Sequence, residues 1–111
     1  MRGFIGEFEE LVLLTIASLG DEAYGVSVKE GIESRAARAI SIGALHSTIT
    51  RLEEKGFIES RLGGATKERG GRKKRFFLLT TAGKEGLVKI KNLRDSLWAD
   101  PNTQLALSDF L

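Results

Sequence analysis

The stretch SIGALHSTITRLEEKGFIESRL, Ser41–Leu62, joins a helical pattern directly to a strand pattern. Ser41 is a favourable helix N-cap and Gly56 a favourable stop, so the first part predicts a helix between them. The predicted core side of this helix repeats at spacings of three and four: Ile42, Leu45, Ile49 and Leu52. The last six residues, Phe57–Leu62, alternate in polarity and predict a strand.

The opposite face of this helix carries small or polar residues: Gly43, Ala44, His46, Ser47, Thr50 and Arg51. A helix face that only contacts solvent usually contains more Lys and Glu. Short hydrogen-bonding side chains suit the close approach of a rigid surface, such as the floor of a DNA groove. These residues, together with Ser41, are therefore candidate DNA contacts, and a merely solvated face is the alternative interpretation.

The next stretch, GGATKERGGRKKRFFLLT (Gly63–Thr80), concentrates positive charge before a short apolar strand pattern. Between Arg61 and Arg75 the chain carries a net charge of +6, whereas the remainder carries −4. Two glycine pairs and a long loop over Gly63–Lys74 predict a projecting hairpin, and its cations are candidate phosphate contacts: Lys67, Arg69, Arg72, Lys73, Lys74 and Arg75. A loop that is cationic only for solubility is the alternative. A basic hairpin after a helix with such a face predicts a winged helix-turn-helix.

Two further helices are predicted before this unit. Apolar residues recur at helical spacing from Phe4 to Leu19, Gly20 ends the pattern, and acids occupy the opposite face at Glu7, Glu9 and Glu10. Asp21 is then the predicted N-cap of a helix over residues 23–35.

A last helix is predicted from Thr80 or Thr81 to about Trp98, ended by the pair Asp100-Pro101. The apolar stripe of this helix consists of Leu87, Ile90, Leu93 and Leu97. It has little left to pack against in its own domain, so we expect a second copy of the chain to bury it. The predicted fold class is mainly α with a small β-hairpin. Its predicted parts are a winged helix-turn-helix domain over residues 1–80, a dimerisation helix over 81–99 and a short tail over 100–111.

Several function classes are disfavoured by composition. The chain has no cysteine and one histidine, and it contains no phosphate-binding loop and no nucleophile motif. We therefore expect no enzymatic activity, no cofactor and no metal site. Without an apolar run of membrane-spanning length or a signal peptide, the expected compartment is the cytoplasm.

The sequence resembles the PadR family of bacterial and archaeal transcriptional repressors from about Phe4 to Leu97. The segments that show this resemblance are LVLLTIASLGDEAYGVSVKEGI, SIGALHSTITRLEEKGFIESR, GGRKKRFFLLTTAG and the helix that follows. The resemblance implies a homodimer built through the first and last helices, which adds Phe4 and Phe8 to the dimerisation residues. It also implies that the Ser41–Lys55 helix lies in the major groove and the wing on the adjacent backbone or minor groove.

The chain departs from the family at the recognition helix, where Ala44, His46 and Ser47 replace the usual Thr, Tyr and Pro. The family's Tyr contacts phosphate, so His46 is the expected donor in its place. Some family members bind flat aromatic compounds between tryptophans at the dimer centre. Trp98 is the candidate ligand residue for a small aromatic effector, although it aligns about one turn later, and packing in the interface is the alternative.

The predicted function is a homodimeric, sequence-specific DNA-binding repressor acting on an inverted-repeat operator. The alternative function is a winged-helix module whose C-terminal helix binds a different protein. A stable dimer would favour the first hypothesis, and a monomer would favour the second.

Overall fold

The computed structural model describes residues 4–63 and 74–111. The fold is mainly helical with one antiparallel hairpin, as predicted. In chain order the elements are α1 (Glu7–Leu19), α2 (Gly25–Ala36), α3 (Ile42–Glu54), β1 (Ile58–Leu62), β2 (Arg75–Leu79), α4 (Thr81–Ala99) and α5 (Pro101–Leu107), with 3-10 turns at Gly20–Glu22 and Ser108–Phe110.

The core lies where the first three helices meet the start of the hairpin. Its buried apolar residues come from every element up to β2: Val12, Leu13, Ile16, Ala23, Val28, Ile32, Leu45, Ile49, Leu52, Phe57, Ile58 and Phe77. Burying each large side chain contributes about 1.5–3 kcal/mol. This shared core fixes α3 against α1 and α2, leaving the other side of α3 open.

The start of α2 differs from the prediction, because Asp21 does not cap it. Gly20 ends α1 with a φ of 57°, and Asp21 lies in the 3-10 turn that follows. Ala23 and Tyr24 are then extended, since the Ala23 carbonyl accepts the Phe77 N–H at 2.8 Å. The helix therefore begins only at Gly25, with Tyr24 as its N-cap.

The hairpin follows α3 through Gly56, whose φ of 79° suits glycine. Its register pairs Ile58 with Leu79 at the base and Leu62 with Arg75 towards the wing. The Gly63 N–H donates to the Lys74 carbonyl at 2.7 Å. The pairing of the two strands therefore continues as far as Gly63 and Lys74.

The last long helix starts at Thr80, which is the N-cap of α4 and accepts the Gly83 N–H at 3.1 Å. The Thr80 hydroxyl also donates to the Gly56 carbonyl at 2.6 Å, which ties the start of α4 to the turn after α3. Asp100 ends α4 as predicted and caps α5, accepting the Asn102 N–H at 2.8 Å.

The C-terminal half of α4 extends beyond the core. Every residue from Lys91 to Asn102 is exposed. The radius of gyration is 16.6 Å, against about 13 Å for a compact chain of this length. The segment predicted as a short tail, residues 100–111, is largely helical. Among residues 4–63 and 74–111, no helix is long and apolar enough to cross a membrane.

Candidate nucleic-acid interface

The exposed face of α3 begins at a well-formed N-terminus. Ser41 caps the helix, its hydroxyl accepting the Ala44 N–H at 3.0 Å. Gly43, Ser47 and Thr50 are spaced by four and three, so they share the face turned furthest from the core. All three are exposed, and a side-chain carbon added at Gly43 would meet no heavy atom of the described residues within 4 Å, apart from the backbone of α3 itself. A flat partner can therefore approach the α3 backbone closely here.

The predicted core side of α3 is wrong at one position. Ile42 is 47% exposed, whereas Leu45, Ile49 and Leu52 are buried. The helix begins at Ile42, and its first turn lies beyond the edge of the core that α1 and α2 form. Ile42 instead contributes an apolar side chain to the surface beside His46.

Two grooves flank this face of α3, on opposite sides of the helix. The first, which we call the wing-side groove, has a volume of about 510 Å³ and lies between α3, the start of α2 and the base of the hairpin. The second, which we call the α1-side groove, has a volume of about 480 Å³ and lies between α3, the α2–α3 loop and Phe8 of α1. The face with Ser47 and Thr50 lies between them.

The wing-side groove brings together predicted contacts from two elements: His46, Thr50, Lys74 and Arg75. Each of the two cations here is held in place. The Lys74 ammonium lies 4.1 Å from the centre of the Tyr24 ring, a cation–π contact. Arg75 donates to the Ser60 hydroxyl at 2.8 Å, and that hydroxyl donates to Glu53 on α3 at 2.9 Å.

Tyr24 also supports the hairpin itself. Its ring packs edge-on against Phe76, with 5.6 Å between ring centres. A side-chain carbon at Gly63 would overlap the Phe76 ring, so glycine leaves room for that ring. The base of the wing is therefore fixed by Tyr24, Gly63 and Phe76.

The remaining predicted wing contacts cannot be placed in this geometry. Lys67, Arg69, Arg72 and Lys73 lie outside the described residues. Of the predicted wing cations, Lys74 and Arg75 are the two whose positions the structure gives.

The α1-side groove contains the predicted contacts Ser41, Ala44, Ser47 and Arg51. Arg51 is half-exposed, and two contacts within the protein hold its side chain. Its guanidinium donates to the Thr48 hydroxyl at 3.1 Å and lies 3.6 Å from the Glu9 carboxylate. Sequence analysis missed Arg38, which lines the same groove.

Glu9 is buried, although the acidic pattern of α1 predicted it on the solvent face. Its carboxylate accepts two hydrogen bonds from Lys55, at 2.8 and 3.0 Å, and one from the Gly6 N–H at 2.8 Å. Burial alone would raise the pKa of Glu9, but these hydrogen bonds and the charges of Lys55 and Arg51 outweigh it and lower the pKa below its ordinary value. Glu9 is therefore an ionised link between α1 and α3.

The predicted dimerisation residues divide into two groups. Phe8, Leu87 and Ile90 are half-buried within the chain, and Phe8 and Leu87 pack against the core. Phe4, Leu93 and Leu97 are 58–83% exposed and lie near the N-terminus or on the projecting part of α4. Trp98, the candidate ligand residue, is 51% exposed at the end of α4.

Sequence comparison identifies the family. The family model described as Transcriptional regulator PadR-like family matches residues 13–89, which include α2, α3 and the hairpin. The chain belongs to the PadR-like family. Membership makes it a transcriptional regulator, implies DNA binding, and confirms the prediction that it is not an enzyme. No curated protein matches the sequence significantly.

Solved structures support the PadR fold. A PadR-like regulator from Bacillus cereus is 21% identical, with a TM-score of 0.71 and coverage of 88% of this chain and 90% of that one. A PadR-family regulator from Clostridium difficile is 18% identical, with a TM-score of 0.63 and coverage of 93% and 97%. A PadR-like factor from Bacteroides fragilis is 20% identical, with a TM-score of 0.65 and coverage of 81% and 82%. Identities this low establish the fold alone.

The signal for Glu9 was present in the sequence of this PadR-like chain. Ile5, Glu9, Val12 and Ile16 are spaced by four, three and four, so Glu9 falls on an inward stripe. Arg38 gave no comparable signal, because its position depends on how the α2–α3 loop folds. The contacts of Tyr24 gave no local signal either, because its partners Lys74 and Phe76 are distant in sequence.

Proposed function

We propose that this chain is a homodimeric repressor that binds an inverted-repeat operator. The observation that carries the proposal is the exposed face of α3, where Gly43, Ser47 and Thr50 lie between two cation-lined grooves. A helix with its side chains is about 10–12 Å across, which fits a DNA major groove about 12 Å wide. The N-terminal half of α3 would then reach base edges.

The wing would contact the backbone beside the groove that α3 occupies. Lys74 and Arg75 lie at its base, and both are held by neighbours. Cations already fixed in position lose less conformational entropy when they bind phosphate. The groups that contact Lys74 and Arg75 directly, the Tyr24 ring and the Ser60 hydroxyl, carry no charge, and the Glu53 carboxylate reaches Arg75 only through Ser60. The sequence adds Lys67, Arg69, Arg72 and Lys73 as further phosphate contacts in this proposal.

Dimerisation is supported by the uncovered part of α4. Leu93, Leu97 and Trp98 are more than half exposed on a helix that extends beyond the core. A second copy related by a two-fold axis would cover these side chains and place two α3 helices on one side of the dimer. Successive major-groove faces are about 34 Å apart, so the operator half-sites are expected at that spacing or a multiple of it. Action on chromosomal DNA would place the dimer in the cytoplasm.

The proposal also includes a binding site for a small aromatic effector at the dimer centre. Trp98 lies on the same projecting part of α4, half exposed, where a flat aromatic compound could stack. Titration with planar aromatic cations should quench the fluorescence of Trp98, which is the protein's one tryptophan. An unchanged signal would assign Trp98 to packing alone.

The second candidate function is a module that binds a different protein. The observation in its favour is that exposed apolar side chains continue beyond α4 at Leu105, Phe110 and Leu111, which are 70–88% exposed. Light scattering separates the two: a dimer supports the first function, and a monomer leaves this surface for another protein.

Selection from a random duplex library tests the proposed function. The purified chain should enrich an inverted repeat, and changing Ser47 to Ala should alter the preferred bases without abolishing binding to unrelated DNA. Enrichment of no sequence, or of a single half-site without symmetry, would contradict the dimeric sequence-specific repressor.

A further inference from the structure

Arg38 lies in the loop between α2 and α3, and this loop is fixed in position. Ala37 ends α2 in the left-handed conformation, with a φ of 50°. The Ile40 N–H then donates to the Glu33 carboxylate at 3.1 Å, which ties the loop back to α2. Arg38 therefore projects from a defined place just before the N-terminus of α3.

The side chain of Arg38 is held beside α3 by contacts with α1. Its guanidinium lies 5.1 Å from the centre of the Phe8 ring and 3.3 Å from a Glu7 carboxylate oxygen. Arg38 lines the α1-side groove together with Arg51 and the hydroxyl-bearing residues Ser41 and Ser47. The two guanidinium groups only donate hydrogen bonds and the two hydroxyls can also donate, so the groove suits an anion, and the planar guanidinium fits phosphate in particular.

The position of this groove on α3 indicates which phosphate it would bind. The α3 residues of the two grooves, such as Ala44 and Arg51 on one side and His46 and Glu53 on the other, lie on opposite sides of the helix. A helix inserted in a major groove has one DNA backbone on each side. Lys74 and Arg75, at the base of the wing, lie on one side, so the other backbone must pass the α1-side groove.

We propose that Arg38 binds a backbone phosphate on the side of α3 opposite the wing, with Arg51 alongside it. This inference rests on the proposed insertion of α3 into the major groove. Glu7 competes for Arg38, but its side chain is 82% exposed, and an ion pair this exposed is weak. Phosphate therefore displaces the Glu7 carboxylate, while the Phe8 ring keeps the guanidinium in place.

The test compares Arg38→Gln with Arg35→Gln, a control arginine that is also exposed and lines neither groove. Binding to a labelled mixed-sequence duplex of about 40 base pairs, roughly four helical turns, is measured by anisotropy across a salt series. Losing one phosphate contact per protomer should reduce the magnitude of the log–log salt slope by about 1.8 per dimer. Arg35→Gln should leave the slope at its wild-type value.

A second variant, Glu7→Gln, should change the DNA affinity in the opposite direction. Glu7→Gln frees Arg38 for phosphate, so it should tighten binding. Most of the gain should disappear when Glu7→Gln is combined with Arg38→Gln, because the two side chains act through one contact. A gain of the same size in the presence and in the absence of Arg38 would overturn the assignment.

The outcomes separate this inference from the proposed function. If the wild-type chain binds with a steep salt slope and both arginine variants match it, Arg38 does not contact phosphate and the inference fails alone. If the wild-type chain shows no salt-dependent binding, the proposed function itself fails.

Discussion

Glu9 of α1 and Lys55 at the end of α3 are joined by two hydrogen bonds between carboxylate and ammonium, 2.8 and 3.0 Å long. Lys55 also donates to the Phe4 carbonyl at 3.1 Å, and Glu9 accepts the Gly6 N–H at 2.8 Å. The segment before α1 is thereby fastened to the C-terminus of the helix proposed to enter DNA. Because α1 is also a proposed dimer element, this link relates the dimer to the orientation of α3.

Glu9→Gln should lower the free energy of unfolding at pH 7. The glutamine leaves Lys55 and Arg51 beside an uncharged, buried amide. Breaking a fully buried ion pair costs about 3–5 kcal/mol, and since Lys55 is 27% exposed we expect about 1–2 kcal/mol. Urea denaturation measures the change. Glu7→Gln, at an 82% exposed side chain, should cost about 0.5 kcal/mol or less.

The effect of Glu9→Gln should depend on pH. The pKa of Glu9 is lowered in the folded chain, so its stabilisation is present above the ordinary glutamate pKa of about 4.3 and lost as pH falls through the folded value. Below that range a protonated Glu9 is uncharged, like glutamine. The stability difference between wild type and variant should therefore shrink in acid, and a constant difference down to pH 3 would contradict the ion-pair account.

Gly83→Ala should destabilise the junction between α4 and the hairpin. A side-chain carbon at Gly83 would overlap the Phe57 carbonyl oxygen and lie 3.1 Å from the carbonyl carbon, which is backbone and cannot rotate away. We expect a loss of about 1–3 kcal/mol on thermal unfolding. Gly86→Ala is the control, because the added carbon meets only the end of the Ile5 side chain. Equal effects at both positions would refute the packing argument.

Tyr24→Leu should weaken DNA binding through the wing. The leucine removes the ring that holds Lys74 and packs against Phe76, so the base of the wing loses its support. Tyr24→Phe keeps the ring and should bind with nearly wild-type affinity, about tenfold tighter than Tyr24→Leu for a loss of roughly 1.4 kcal/mol. Anisotropy titration gives both affinities. Equal losses in the two variants would assign the effect to the hydroxyl.

Leu97→Asp should convert the proposed dimer to a monomer. Leu97 is 58% exposed on α4, and a charge there would be buried without a partner at the proposed interface. Light scattering should show twice the chain mass of 12.1 kDa for wild type and the single chain mass for the variant. Leu62→Asp, at a 61% exposed leucine of β1, should remain dimeric. A wild-type monomer would remove the dimer from the proposal.

The features that sequence analysis predicted best are those that depend on residues close together along the chain. Ser41 and Thr80 cap their helices because a hydroxyl at the first turn reaches a free N–H group of the same turn. The Asp100-Pro101 pair ends α4 for an equally local reason. The strands flanking the basic segment were also predictable, since alternation and aromatic residues are strand signals.

What sequence missed depends on contacts between distant elements. Tyr24 is extended because β2, about fifty residues away along the chain, bonds beside it, so Asp21 loses its role as a cap. Ile42 is exposed because no element among residues 4–63 and 74–111 covers the first turn of α3. Arg38 enters the candidate site only through the position of Phe8 on another helix.

The central claim is that fixed cations beside α3 bind the DNA backbone while α3 reads the major groove. Binding to a duplex from the region upstream of the protein's own gene, measured across a salt series, tests it most directly. For about six neutralised phosphates, log affinity should fall linearly with log salt at a slope of about −5. An affinity that does not change with salt would contradict it.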